Sequence, residues 1–163
     1  MEGGLQKPTR FSIDWKNKDY LNEELFEKEL RRVSDHCHGC RRCVSLCNSF
    51  PSLFDLIDES ETFEVDGVAY DQFNKVIDHC YLCDLCYMTK CPYVPPHEWA
   101  IDFPHLMLRG KAIKYNKSKT SIRDKILTST DMLGKLGSHK IIAPIINYFN
   151  EVKIFRIILE KIL

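Results

Sequence analysis

CHGCRRCVSLC, residues 37–47, and CYLCDLCYMTKC, residues 80–91, hold all eight cysteines of the chain. The first stretch reads Cys37-x2-Cys40-x2-Cys43-x3-Cys47 and the second Cys80-x2-Cys83-x2-Cys86-x4-Cys91, followed by Pro92. Three cysteines at successive x2 spacings can place three thiolates on three iron corners of a cubane, and the fourth corner needs a ligand from elsewhere. In two-cluster ferredoxins the fourth cysteine of each run serves the other cluster. On that pattern Cys37, Cys40, Cys43 and Cys91 hold one [4Fe–4S] cluster, and Cys80, Cys83, Cys86 and Cys47 hold a second. Crossed ligation would also staple the two segments together.

The competing reading is structural zinc in two four-cysteine sites. Zinc sites usually pair two C-x2–4-C knuckles, whereas each segment here carries a third cysteine at x2 and a fourth at x3 or x4. A disulfide framework is a further alternative, but residues 1–15 lack the apolar core of a secretory signal. The expected compartment is therefore the cytosol, where clustered thiols stay reduced and bind metal.

The segments around the cysteines read as helices. Asn22 can cap a helix to about Ser34, with Glu23 and Glu24 in its first turn and Arg31 and Arg32 in its last. Leu21, Leu25, Phe26, Leu30 and Val33 supply its apolar stripe. Further helices are expected over Ser52–Ile57, over 70–79, from Pro104 to about Tyr115, over Ser121–Leu133 and over roughly Ile145–Leu163. Strand patterning is weak, with at most a small hairpin over Phe63–Val68. The fold expected is all-α, with metal-bearing loops in the middle. Residues 1–20 read as an extended arm, 21–116 as the two-cluster domain and 117–163 as a helical extension.

Other residues are expected to play supporting parts. His36, His38 and His79 flank the cysteines and read as hydrogen-bonding or solvent-facing groups, not ligands. Arg41 and Arg42 could offset the charge of a thiolate-bound cluster or form a solvated surface pair. Tyr81, Leu82, Leu85, Tyr87 and Met88 are expected to shield the second cluster from water. No nucleotide-binding glycine pattern or serine-nucleophile elbow occurs. His97-Glu98 begins like a zinc-protease motif, but the second histidine would fall at Ile101. No catalytic residue is assigned, and the chain alone is expected to be inactive.

Lys plus Arg and Asp plus Glu both number 23, which gives no argument for a nucleic-acid partner. No apolar stretch is long enough for a transmembrane span. The last helix has Ile154, Phe155, Ile157, Ile158, Leu159, Ile162 and Leu163 around a narrow polar strip. So wide an apolar surface normally covers something: this domain, a partner subunit or, as a lesser option, the plane of a membrane.

CHGCRRCVSLCNSFPSLFDLIDESE (37–61), CYLCDLCYMTKCPYVPP (80–96) and DFPHLMLRGKA (102–112) resemble the bacterial iron–sulfur oxidoreductases related to heterodisulfide reductase. That group includes the iron–sulfur subunits of anaerobic glycerol-3-phosphate dehydrogenase and glycolate oxidase, and the likeness is strongest to a rubrerythrin-associated branch. The resemblance covers about residues 1–150. It implies an α-helical ferredoxin domain with two [4Fe–4S] clusters on the eight cysteines. It also implies redox partners: a flavin dehydrogenase or oxidase subunit, a rubrerythrin-linked protein, or a subunit with CCG repeats. Two departures stand out: Asn48 where such runs often have proline, and the x4 gap before Cys91. Full-length relatives continue into a cysteine-rich part, and this chain has no cysteine after Cys91. It is expected to be an electron-transfer subunit or a piece of a larger oxidoreductase.

Overall fold

A computed structural model describes residues 6–117 and 121–162. All regular structure among the described residues is helical, so the all-α expectation holds. The chain divides into two compact units, Met1–Lys117 and Ser118–Leu163.

The first unit is built on four helices. Helix α1, Glu23–Cys40, starts at Asn22, whose side chain accepts a hydrogen bond from the Leu25 N–H. Phe26, Leu30 and Val33 lie one below another on its inner face and are buried. Leu21 and Leu25, expected on the same stripe, are exposed. The helix runs six residues past its expected end at Ser34. It stops only at Arg41, where φ is +49° and the N–H closes on the Cys37 carbonyl. Cys37 and Cys40 therefore project from its last turn, not from a loop.

Helix α2, Ser49–Asp58, begins before Pro51, which the first turn tolerates because its missing N–H has no partner there anyway. Phe50, Leu53, Phe54 and Ile57 form its buried face. Helix α3, Phe73–His79, follows a 3-10 turn and buries Phe73, Val76 and Ile77. Ser49 Oγ donates to the Val76 carbonyl at 2.7 Å, which fixes α2 on α3. Helix α4, Phe103–Asn116, is capped by Asp102, which accepts from the His105 N–H at 3.1 Å, with Pro104 in the first turn. It crosses α1 and α3 closely at Gly110. A Cβ there would stand 2.8 Å from Phe26 Cζ and 3.0 Å from Ile77 Cδ1.

No strand forms over Phe63–Val68, and the hairpin considered there is replaced by a turn. Val65 and Val68 are buried, and Arg31 Nη1 donates to both their carbonyls at 2.9 and 3.1 Å. The Val65 carbonyl also accepts from the Val68 N–H within the turn.

In the second unit the two long helices expected are each broken. Helices α5, Ile122–Thr128, and α6, Thr130–Gly137, are separated at Ser129. There the Thr128 and Ser129 hydroxyls donate to the Asp124 and Lys125 carbonyls, offering the backbone an alternative to continued helix. Helices α7, Ile142–Glu151, and α8, Lys153–Ile162, are separated by an extended Val152. No residue of α5, α6 or α7 is buried. Leu163, expected in the last helix, and residues 1–5 of the arm lie outside the described residues. No described helix is long and apolar enough to cross a membrane.

Candidate metal centre

No disulfide joins any of the eight cysteines, which all lie in the first unit. They surround two neighbouring cavities. The first is lined by Cys37 and Cys40 from the last turn of α1, Cys43 just beyond it, and Cys91 before Pro92. Cys37 and Cys40 share one helix face at i and i+3. The left-handed residue Arg41 then turns the chain so that Cys43 reaches the same space. Cys91 arrives from the second segment after a π-helical turn, Cys86–Lys90. This cavity has a volume of about 30 Å³.

The second cavity is lined by Cys80 at the end of α3, Cys83 and Cys86 from the following loop, and Cys47 from the segment before α2. Its volume is about 10 Å³. Leu82 and Asp84, both in left-handed backbone, curl the loop that carries Cys83. The structure thus brings the eight cysteines together in two sets of four, each with one member from the opposite segment. Phe50 lines both cavities and stacks on Phe103 with ring centroids 4.6 Å apart. A small third void between them is lined by Cys37, Cys43, Cys86 and Cys91, so the two sets adjoin.

The electrostatics of these thiols suit metal ligands. Burial pushes the Cys37 thiol well above the ordinary range, and the neighbouring Cys91, Cys43, Cys86 and Cys40 push it further. Burial likewise raises Cys86, Cys80 and Cys91. So crowded a set ionises together only when a cation offsets the accumulating negative charge. The backbone prepares for it: the N–H groups of Leu82, Tyr87 and Tyr93 favour the thiolates of Cys80, Cys86 and Cys91. Among the described residues no three His, Cys, Asp or Glu side chains converge closely enough to hold a single metal ion. A tetrahedral zinc with bonds of ~2.3 Å needs its sulfurs within about 3.8 Å of one another. Four thiols around each cavity are a donor set suited to thiolate-bound metal.

The surroundings of the two cavities differ. Near the first, Tyr93 hydrogen-bonds Cys40, and His36 stacks on Trp99 at 4.3 Å with ring planes 3° apart. Trp99 also packs against Tyr93 and His97. His38 and His79 are engaged elsewhere, with Arg41 and with Ser52 Oγ. The shield expected around the second cavity is only partly present. Tyr81 and Leu85 line it, but Tyr81 is 72% exposed and Cys83 is exposed as well. Leu82 and Met88 do not line it and point outward, and Tyr87 packs beside the first set. The left-handed turn at Leu82 and Asp84 is what carries the apolar side chains to the surface.

One element of the site was not foreseen. Arg10 reaches Asp84, between Cys83 and Cys86, and Asp102, the cap of α4, through four contacts of 2.8–2.9 Å. Its guanidinium also covers the Tyr87 ring at 4.2 Å, and the Tyr87 hydroxyl donates to the Thr9 carbonyl. The arm is thereby strapped across the second cysteine segment. No local pattern signals a contact between residues 74 and 92 positions apart.

Among curated proteins, the chain is similar to Citrate utilization protein B of Escherichia coli. The identity is 31% over 89 residues, which is 55% of this chain and 21% of that protein. The chain therefore spans about a fifth of the length of the curated relative it matches. No family model matches it. No solved structure matches it either.

Proposed function

We propose that this chain carries two [4Fe–4S] clusters and passes electrons between redox partners. The observation that carries the reading is the grouping of eight cysteines into two adjoining sets of four, each completed by a cysteine from the other segment. Cys37, Cys40, Cys43 and Cys91 would hold the first cluster, and Cys80, Cys83, Cys86 and Cys47 the second. Each cluster, when bound, supplies reversible one-electron chemistry. The chain's own residues hold the thiolates in register, donate N–H hydrogen bonds to sulfur, and set how much water reaches each site. The exposed rim of Cys83, Tyr81 and Leu85 suits electron exchange with a second protein. A flavin dehydrogenase or oxidase subunit, or a CCG-repeat subunit, is the class of partner we favour.

A second reading is supported by the partial overlap with a much longer relative. On it, the chain is the cluster-bearing portion of a heterodisulfide-reductase-like oxidoreductase whose substrate chemistry lies elsewhere. Both readings share one test. The protein, purified without oxygen, should be brown, absorb near ~400 nm, and contain about eight irons and eight inorganic sulfides per chain. A colourless protein with two zinc ions would make the sites structural and overturn both. Activity of the purified chain on a substrate, without a partner, would overturn the first alone.

A further inference from the structure

Arg41 and Arg42 are adjacent in sequence, yet the structure gives them different surroundings. Arg41 is spent locally. Its guanidinium pairs with both carboxylate oxygens of Asp58, one contact being 2.8 Å, and its Nε donates to the His38 carbonyl. It also lies over the Phe54 ring. A cation whose counter-ion sits at hydrogen-bond distance projects little net field. Its role is to hold the left-handed turn that ends α1.

Arg42 makes no ion pair or hydrogen bond with any described residue. Its charge instead falls on Cys91 and Tyr93, favouring the anionic form of each. It lines the cavity ringed by Cys37, Cys40, Cys43 and Cys91. It also lines an outer cleft of about 680 Å³ on which Cys91 borders as well. A cation with no ion pair among the described residues thus stands at the wall between the first set of thiols and solvent. Among the described residues no cation lines the second cavity, although the charge of Lys111 favours the anionic form of Cys80.

We propose that Arg42, and not Arg41, is the charged side chain that sets the potential of the cluster on Cys37, Cys40, Cys43 and Cys91, an inference that rests on the function proposed above. One electron arriving from an external low-potential donor adds one negative charge to that site, with no bond made or broken and no proton required. A nearby positive charge stabilises the reduced form and raises the potential. Because Arg42 is exposed, its effect is screened by salt.

Redox titration of the full chain, followed by absorption and electron paramagnetic resonance, separates these roles. Arg42→Gln should lower one of the two midpoint potentials and leave the other in place. The difference should shrink between low and high ionic strength, and Arg42→Lys should recover most of it. Arg41→Gln should lower the unfolding midpoint and shift that potential far less than Arg42→Gln does. The inference is overturned if Arg42→Gln loads both clusters with wild-type potentials, or if Arg41→Gln shifts the same potential as far. A wild-type chain without iron would overturn the proposed function, and this inference with it.

Discussion

Arg10→Met removes the charge that joins the arm, the second cysteine segment and the start of α4, while keeping most of the stem. The Asp102 side chain is only 18% exposed, so its charge-assisted pair contributes about 1.5–3 kcal/mol. Asp84 is 39% exposed, and solvent screening reduces its pair to about 0.2–1 kcal/mol. The contact over the Tyr87 ring adds about 0.5–1 kcal/mol. These share one side chain and do not add fully, so the loss should be about 3 kcal/mol, or about 10 °C in melting temperature. The Arg10 hydrogen bonds hold Asp84 below the usual carboxylate range. A carboxylate with a depressed folded-state pKa contributes stability that is present above its unfolded value, about 3.9, and is lost as pH falls through the folded value. The gap between wild type and variant should thus be full at pH 7 and narrow only below about pH 4. Urea unfolding at both pH values, followed by circular dichroism, reads both. A loss under about 1 kcal/mol at pH 7, or a gap that begins to close near neutrality, would refute the reasoning.

Gly110→Ala should destabilise the first unit by about 1 kcal/mol, because overpacking against Phe26 and Ile77 outweighs the helix propensity gained. Gly134→Ala, where a Cβ meets nothing within 4 Å, should be neutral or stabilising, and urea midpoints compare the two. Cys47→Ser should lower iron content by about half and also lower the unfolding midpoint, since Cys47 ties the segment before α2 to the second set. Cys83→Ser, at an exposed position within one segment, should lose a similar amount of iron with a smaller change in midpoint. Equal midpoints for the two serine variants would argue against the crossed arrangement.

Much of the first unit was legible because its local signals agree. Asn22 caps the helix it was expected to, Pro104 falls in the first turn of α4, and Phe26, Leu30 and Val33 follow the helical period into the core. The end of α1 was not legible. Glycine and cysteine between 37 and 40 look like loop, but the αL cap falls on Arg41, a residue with no intrinsic preference for it. A left-handed Arg costs about 1–2 kcal/mol, and the ion pair with Asp58 and the bond to His38 offset it. Neither partner is visible from the cysteine spacing. The breaks at Ser129 and Val152 were missed because the apolar period continues through both. A hydroxyl that bonds backward interrupts the helix without disturbing that pattern. The strap through Arg10 was not legible, because no sequence pattern joins residues 74 and 92 positions apart.

The site and the core are one structure here. Cys37, Cys40, Cys43, Cys47, Cys86 and Cys91 pack directly against the apolar cluster that holds Phe26, Leu53 and Met107. Phe50 stands between the two cavities and belongs to that same cluster. A metal centre in these cavities would pack against Phe50, Phe54 and Ile101 and would offset the charge of thiolates that burial otherwise keeps protonated. Both effects favour the folded chain only, so binding free energy at these sites is also folding free energy. Arg10 acts on the same balance from outside: by fixing Asp84 it fixes the backbone between Cys83 and Cys86, at the more exposed of the two sites. Where burial does not hold the loop around Cys83, a long-range ion pair does.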